Sequence, residues 1–415
     1  MSQPIKILIV GNGFGGVYAL KNLHKFFHKN PKVEMTLVGE KNYFLFTPLL
    51  HEVATGGINL ENIIEPIRKV LGCCLHNFYL GKAEFINLAE QTVQVGNISL
   101  AYDYLVLAPG AQTNFYGTPG AEKYSLPLKS IEDAMKMKNH CVRQMERAAH
   151  IANRAERQKI LRWVVVGGGP TGVELAAELQ ELIQENFSHY YPKEVVADAS
   201  VVLIQKDSEL VPAFGAKVRK KSLQVLNKKG IKVVLGRKVQ EVGPAHVLLD
   251  DNTSILTETV LWVAGVKPAD LKFNEMVEKS GQDRLLVNEY LQIKNQEKVF
   301  ALGDAAAFKS KDFDTYVPGL AQVAEKEARA VAKNIQLLIK NKKLKPFVYH
   351  HSGDLLSLGR WMAIGEIFNW TFSGRLTWWV WRTVYLSKLI SWRKKIKVAV
   401  DWTMNISSAR DISEL

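Results

Sequence analysis

The stretch 5-IKILIVGNGFGGV-17 decides the fold. Five of the six residues before Gly11 are apolar, in a run of Ile, Leu and Val, which is the composition of a parallel strand buried on both faces. The run leads directly into Gly-x-Gly-x-x-Gly. Gly11 permits a tight turn, Gly13 lets a pyrophosphate approach the backbone, and Gly16 lets the next helix pack on the strand. The helix N-terminus itself favours negative charge. Glycine-rich turns recur by chance, so one match carries little by itself.

A second stretch, 162-RWVVVGGGPTGVELAAELQ-180, repeats the pattern with Gly167, Gly169 and Gly172. Each loop follows an apolar strand and opens a helix, the context that gives the motif its meaning. Two such loops imply two dinucleotides held by two Rossmann-like domains, an α/β fold. An acid at the end of the next strand grips a ribose hydroxyl in this arrangement, and after the first loop the candidate is Glu40. After the second, 200-SVVLIQKD-207 offers Gln205 in that place with Lys206 behind it. A carboxylate repels a 2′-phosphate, whereas an amide beside a lysine tolerates one. The second coenzyme is therefore expected to be NADPH as well as NADH. A third apolar strand, in 298-KVFALGDAAAF-308, ends in Gly303-Asp304, by itself an ordinary strand-end turn.

The bulk numbers narrow the rest. A chain of 415 residues with 47% hydrophobic residues and 14 prolines has room for two or three domains and no disordered character. A formal charge of +13 favours acidic partners, but no nucleic-acid motif accompanies clusters such as Arg219-Lys220-Lys221, which read as solvated faces. Cys73, Cys74 and Cys141 form no Cys-x-x-Cys pair, so redox work would need a bound cofactor in a reducing compartment. The first strand begins near Ile5, which leaves no room for a signal or transit segment. No run of 18 uncharged apolar residues exists to span a membrane. No metal-ligand spacing stands out, and His350-His351 reads as a surface or packing pair.

The two loops, together with 42-NYFLFTPLLHEVATG-56, 107-LAPGAQTNFYGTPG-120, 261-LWVAGVKP-268, the Gly303-Asp304 turn, 317-VPGLAQVAEKEA-328 and 352-SGDLLSLGRWMA-363, make nearly the whole chain resemble the type II NAD(P)H:quinone oxidoreductases. These alternative NADH dehydrogenases belong to the two-dinucleotide-binding flavoproteins. The resemblance implies non-covalent FAD at the first loop, through Gly11, Gly13, Phe14, Gly15, Gly16, Glu40 and Lys41, with Ala83, Ala108 and Gly110 contributing. It places Gly303, Asp304 and Ala321 at the same cofactor, Asp304 at its ribityl end, and Thr47 and Pro48 near the isoalloxazine ring. It implies NADH or NADPH at Gly167, Gly169, Pro170, Thr171, Gly172, Gln205, Ala264 and Gly265. Three residues take catalytic roles: Glu174 beside the nicotinamide and flavin, and Gln322 and Lys326 on the quinone side. Lys326 stands where many members carry a glutamine, and Glu40 falls one residue after the usual acid position, here Gly39.

Seven of the nine tryptophans lie between Trp361 and Trp402. Leu376, Trp379, Val380, Thr383 and Val384 recur at helical spacing beside Arg375, Arg382 and Lys388, and a second stripe of Ile396, Ala399 and Val400 runs beside Arg393, Lys394, Lys395 and Lys397. Apolar stripes with indole rings and cations suit a helix lying in a membrane interface, where each cation adds about 1 kcal/mol of attraction to anionic lipid. The alternative is packing on the chain's own domain or across a homodimer. The expected organisation is an FAD domain in residues 1–120 and 288–345, an NAD(P)H domain in 121–287, and a membrane-association region in 346–415. Residues 374–402 would meet an anionic membrane surface, giving a peripheral, monotopic enzyme on a cytoplasmic face. Competing functions are a soluble ferredoxin- or rubredoxin-type reductase, a sulfide:quinone oxidoreductase using a cysteine pair, and a nucleotide-sensing flavoprotein without turnover.

Overall fold

The computed structural model describes residues 3–72, 77–310, 316–351, 353–367 and 370–414. The chain divides into two compact units, one of residues 1–46, 64–112 and 266–351, the other of residues 47–63, 113–265 and 352–415.

In the first unit the strand Ile5–Val10 lies between Tyr104–Leu107 and Val33–Gly39. Val299–Ala301 and Phe78–Leu80 complete a five-stranded sheet, and every pairing in it is parallel. A parallel sheet must be covered on both faces. The helices Phe14–Phe27 and Ala321–Ile339 pack against each other as part of that cover. A core gathers Leu8, Val10, Leu105 and Leu107 with Ile86, Val93 and Val95 of a mixed four-stranded side sheet. Residues 266–287, expected with the coenzyme domain, belong here because Lys272–Phe273 pairs with Ala83–Asn87 and Leu285–Leu286 with Ala306–Ala307.

The second unit repeats the plan. Arg162–Val166 lies between Thr259–Trp262 and Ser200–Gln205, with Leu126–Pro127 and Lys232–Leu235 outermost, again all parallel. Pro170–Glu181 is the helix that follows its glycine loop, with Pro170 at the start, where its missing N–H costs nothing. Ser130 and Asp133 form a capping box on the helix Ile131–Ala149. The segment 47–63 joins this unit, because its helix Leu50–Ala54 packs on Ile131–Ala149 and Pro170–Glu181.

The tail, also in the second unit, contributes the antiparallel strands Asp354–Ser357, Ala363–Ile367 and Trp370–Gly374 and the helices Arg375–Lys388 and Trp392–Ser407. Its aromatic residues divide between burial and exposure. Trp378, Trp381 and Trp402 are buried, while Leu376, Trp379, Val380, Trp392, Ile396, Val400 and Met404 are exposed. Arg382, expected as a surface cation, is buried instead. Its guanidinium carbon stands 3.5 Å from the Trp378 ring centre and 4.9 Å from that of Trp402, where desolvation strengthens a cation–π contact. Among the described residues no helix is long and apolar enough to cross a membrane.

Candidate functional site: two glycine loops and a buried acid cluster

In the first unit Gly11 has φ +105°, and a Cβ there would fall 1.9 Å from the Ala108 carbonyl oxygen. A Cβ on Gly16 would fall 1.7 Å from the Gly11 oxygen, whereas one on Gly13 would meet no atom within 4 Å. Two positions are closed by protein and the one between them is open, as a backbone that receives a pyrophosphate requires. Phe14–Phe27 has no acidic side chain in its first turn to oppose an anion. Gly15 packs on Leu302 and Ala108. Ala83 is buried at the start of its strand, and Gly110 takes φ +77° just after Tyr104–Leu107.

Asn12 fastens this loop. Its side-chain amide donates to the Lys41 and Tyr43 carbonyls at 2.7 and 2.8 Å, and a Cβ on Gly39 would fall 2.5 Å from its side chain. The acid therefore stands one residue later, at exposed Glu40 beside exposed Lys41, because Asn12 fills the space that a side chain at 39 would need. Gly303, with φ +64°, opens the short turn that carries half-buried Asp304. Ala321, Gln322 and Lys326 occupy the first turns of the helix Ala321–Ile339. The Lys326 ammonium donates to the His350 carbonyl at 2.5 Å and lies 5.0 Å from the Tyr349 ring centre, so it is committed to the segment before the tail.

In the second unit the same pattern recurs. Gly167 has φ +113°, and its Cβ would fall 2.5 Å from the Ala264 Cα. One on Gly172 would fall 1.8 Å from the Gly167 oxygen, and one on Gly169 would meet nothing within 4 Å. Gly265 packs against Tyr116, and Thr171 is exposed at the helix start. Gln205 does not stand open toward a ribose. Its Oε1 accepts from the Gly168 N–H at 2.9 Å and its Nε2 donates to Asp207 Oδ2 at 2.7 Å. Asp207, absent from the sequence expectations, is the carboxylate that this strand end presents. Lys206 is exposed, 5.9 Å from the Tyr116 ring centre.

Thr47 and Pro48 lie in the turn Thr47–Leu49 of this second unit, just before the helix Leu50–Ala54. Next to that helix is a buried cluster. Glu174, Glu178 and Glu181 lie on one face of Pro170–Glu181 and are all buried, as are His51 and Glu52. Only Glu174 stood out in the sequence, although the four- and three-residue steps to the other two follow the helical repeat. Burial, then the neighbouring acids Glu52 and Glu178, hold Glu174 well above the usual carboxyl range, against the Ser357 N–H that donates to it at 3.2 Å. Burial also pushes His51 down to about 4, so its Nδ1, 3.7 Å from Glu174 Oε2, is a neutral neighbour and no ion pair forms. Burial and Glu178 raise Glu52 to about 8 despite the Trp402 indole N–H bonded to it at 2.6 Å. Burial would raise Glu178 as well, but Arg410 at 2.7 Å holds it low. A cavity of about 30 Å³ adjoins Glu52, Glu178, Arg382 and Arg410, room for about one water. The cluster shifts position 174 toward the protonated carboxylic acid.

Cys73 and Cys74 lie outside the described residues. Cys141 is buried and its thiol is pushed up to about 12 by that burial, an inert setting. Among the described residues no group of His, Cys, Asp and Glu could hold a metal ion.

The family model described as pyridine nucleotide-disulphide oxidoreductase matches residues 5–328, and that of the NDH2 C-terminal domain matches residues 351–411. The chain is 31% identical to a probable NADH dehydrogenase of Dictyostelium discoideum, over 98% of this chain and 91% of that protein. It is also 31% identical to the type II NADH:quinone oxidoreductase Ndh of Mycobacterium tuberculosis, over 98% and 89%. A solved structure of NDH2 from Plasmodium falciparum in complex with NADH shares the fold at a TM-score of 0.91 with 22% identity, covering 99% of this chain and 100% of that one.

Proposed function

The chain belongs to the pyridine nucleotide-disulphide oxidoreductase family and within it to the type II NADH:quinone oxidoreductases, and we propose that it moves electrons from NADH or NADPH through FAD to a quinone without pumping protons. The observation that carries this reading is the closed, open, closed pattern of glycines, built independently in each unit. Bound FAD would accept a hydride from the reduced nicotinamide and pass the electron pair to the quinone. The reaction balances as NAD(P)H, one proton and quinone giving NAD(P)⁺ and quinol.

The first unit holds FAD: Gly11, Gly13 and Gly16 admit the pyrophosphate, Glu40 takes a ribose hydroxyl, and Asp304 takes the ribityl chain. The second unit holds the coenzyme at Gly167, Gly169 and Gly172, with Ala264 shaping the loop, and Asp207, held by Gln205, meets the ribose beside Lys206. Burial pushes the Glu174 carboxyl well above its usual range, which favours the protonated form and lessens its repulsion of a coenzyme that carries negative phosphates. With Lys326 engaged by His350, Gln322 supplies the polar contact to the quinone.

Purified protein should be yellow, bleach on anaerobic addition of NADH or NADPH, and recover on addition of a short-chain quinone. Colourless protein that takes up no FAD, or a yellow form that neither nucleotide reduces, sinks the reading. Recovery with oxidised ferredoxin but never with quinone would favour a soluble reductase, and bleaching by sulfide but by neither nucleotide would favour a sulfide:quinone oxidoreductase.

The exposed rows of the two tail helices anchor the enzyme on an anionic membrane surface. Leu376 is 83% exposed and Trp392 66%, apolar area that water disfavours and an acyl boundary accepts. Ile396→Glu with Val400→Glu should abolish sedimentation with anionic vesicles and leave folding intact. Undiminished sedimentation removes the anchor from these rows.

A further inference from the structure

Glu327 lies on the inward face of the helix Ala321–Ile339, among Val323, Ala324, Ala328 and Val331, and is fully buried. A carboxyl group in apolar surroundings is destabilising unless its hydrogen bonds are made. Its Oε2 accepts the Gly303 N–H at 2.6 Å, at the residue whose φ of +64° opens the turn to Asp304. The Asp304 carboxylate lies against Gly319, where an added Cβ would fall 2.3 Å from its Oδ1. Buried Arg284 also faces this turn and donates to the Val317 carbonyl at 3.0 Å. Among the described residues, Glu327 Oε1 and Arg284 Nε have no hydrogen-bond partner.

We propose that Glu327 is a positioning residue for FAD, which fixes through the Gly303 N–H the turn on which Asp304 meets the cofactor. This rests on the reading of the first unit as the FAD-binding one. The groups acting on the Glu327 carboxyl are Gly303 and Asp304 from the turn and Arg284, with Tyr316 acting on Arg284. Burial first, and then the charge of Asp304, push Glu327 up to about 8, against the pull of the Gly303 N–H and Arg284. Below that pH the group is a neutral acid and Arg284 balances Asp304 alone. Above it a second negative charge stands beside Asp304 on the turn that meets the cofactor, so the hold on FAD loosens as pH rises.

The test compares the parent, Glu327→Gln, which keeps an acceptor for Gly303 and cannot ionise, and Glu327→Leu, which has no acceptor. Flavin-free protein is titrated with FAD between pH 6.5 and 9.5, with affinity read from the change in flavin fluorescence. One titrating proton changes affinity by at most about tenfold per pH unit. The parent should weaken about tenfold across the range, the glutamine variant should match the parent at pH 7 and stay flat, and the leucine variant should bind about tenfold more weakly throughout. A flat parent, a glutamine variant that follows the parent's slope, or a leucine variant that binds FAD like the parent overturns the proposal. If the leucine variant does not fold, the other two proteins still decide. A parent that takes up no FAD at any pH is a different failure, that of the first unit's reading.

Discussion

In the first glycine loop the tie to the neighbouring strand comes from the loop: Asn12 reaches across to the Lys41 and Tyr43 carbonyls. In the second it comes from the strand end, where Gln205 reaches back to the Gly168 N–H and holds Asp207 with its other atom. The glycines themselves do not differ, since Gly11 and Gly167 share a positive φ, and Gly16 and Gly172 abut the carbonyl of the loop's first glycine. The shape of the loop is thus a backbone property that admits one solution. The tie between loop and strand end is a side-chain property that the chain has solved twice in different ways. Coenzyme identity should respond to the second kind of residue and coenzyme binding to the first.

The largest effects should follow changes to the shared geometry. Gly16→Ala places a methyl carbon 1.7 Å from an oxygen, and Gly172→Ala one at 1.8 Å. Relieving either forces backbone shifts that cost roughly 1–3 kcal/mol or more. Gly16→Ala should yield protein without bound FAD, seen as loss of the yellow flavin absorbance. Gly172→Ala should stay yellow while the NADH concentration needed for flavin reduction rises about a hundredfold or more. If both variants lose FAD equally, the two loops do not serve separate nucleotides.

That much was legible in the sequence because it is local. A strand, a glycine spacing and a helix are contiguous, and each glycine is demanded by atoms a few residues away in the chain or by one adjoining strand. The wiring was not legible, because Asn12 occupies an x of the motif and its bonds go to residues 41 and 43. Gln205 read as a ribose contact, and only the fold shows that the loop amide already engages it. The tail divides the same way. Its tryptophan density announced an unusual surface, but Trp378 and Trp379 are neighbours that face opposite environments, and Arg382 looks like any interfacial cation until the rings that enclose it are known. Glu178 and Arg410 meet at 2.7 Å from distant parts of the chain, a pairing that no local pattern encodes.

Asp207 should carry the next largest effect. A carboxylate accepting a hydrogen bond from a ribose hydroxyl contributes about 1.5–3 kcal/mol, and the same charge opposes a 2′-phosphate. Asp207→Asn should therefore raise the KM for NADH by about tenfold or more and change that for NADPH much less, moving the preference toward NADPH. Paired steady-state kinetics with the two coenzymes measure it. An unchanged ratio would return the ribose contact to Gln205 itself.

The smallest effect belongs to Lys206. Its ammonium is exposed and rests near the Tyr116 ring, where solvent and salt screen it. An exposed ion pair contributes at most about 1 kcal/mol, so Lys206→Ala should lower kcat/KM for NADPH by about two- to fivefold and leave NADH unaffected. The NADPH effect should fade as salt is raised, which separates a screened attraction from a lost packing contact. An equal loss with both coenzymes would mean that Lys206 acts through Tyr116 on the loop and not on a phosphate. The second strand end would then discriminate through Asp207 alone.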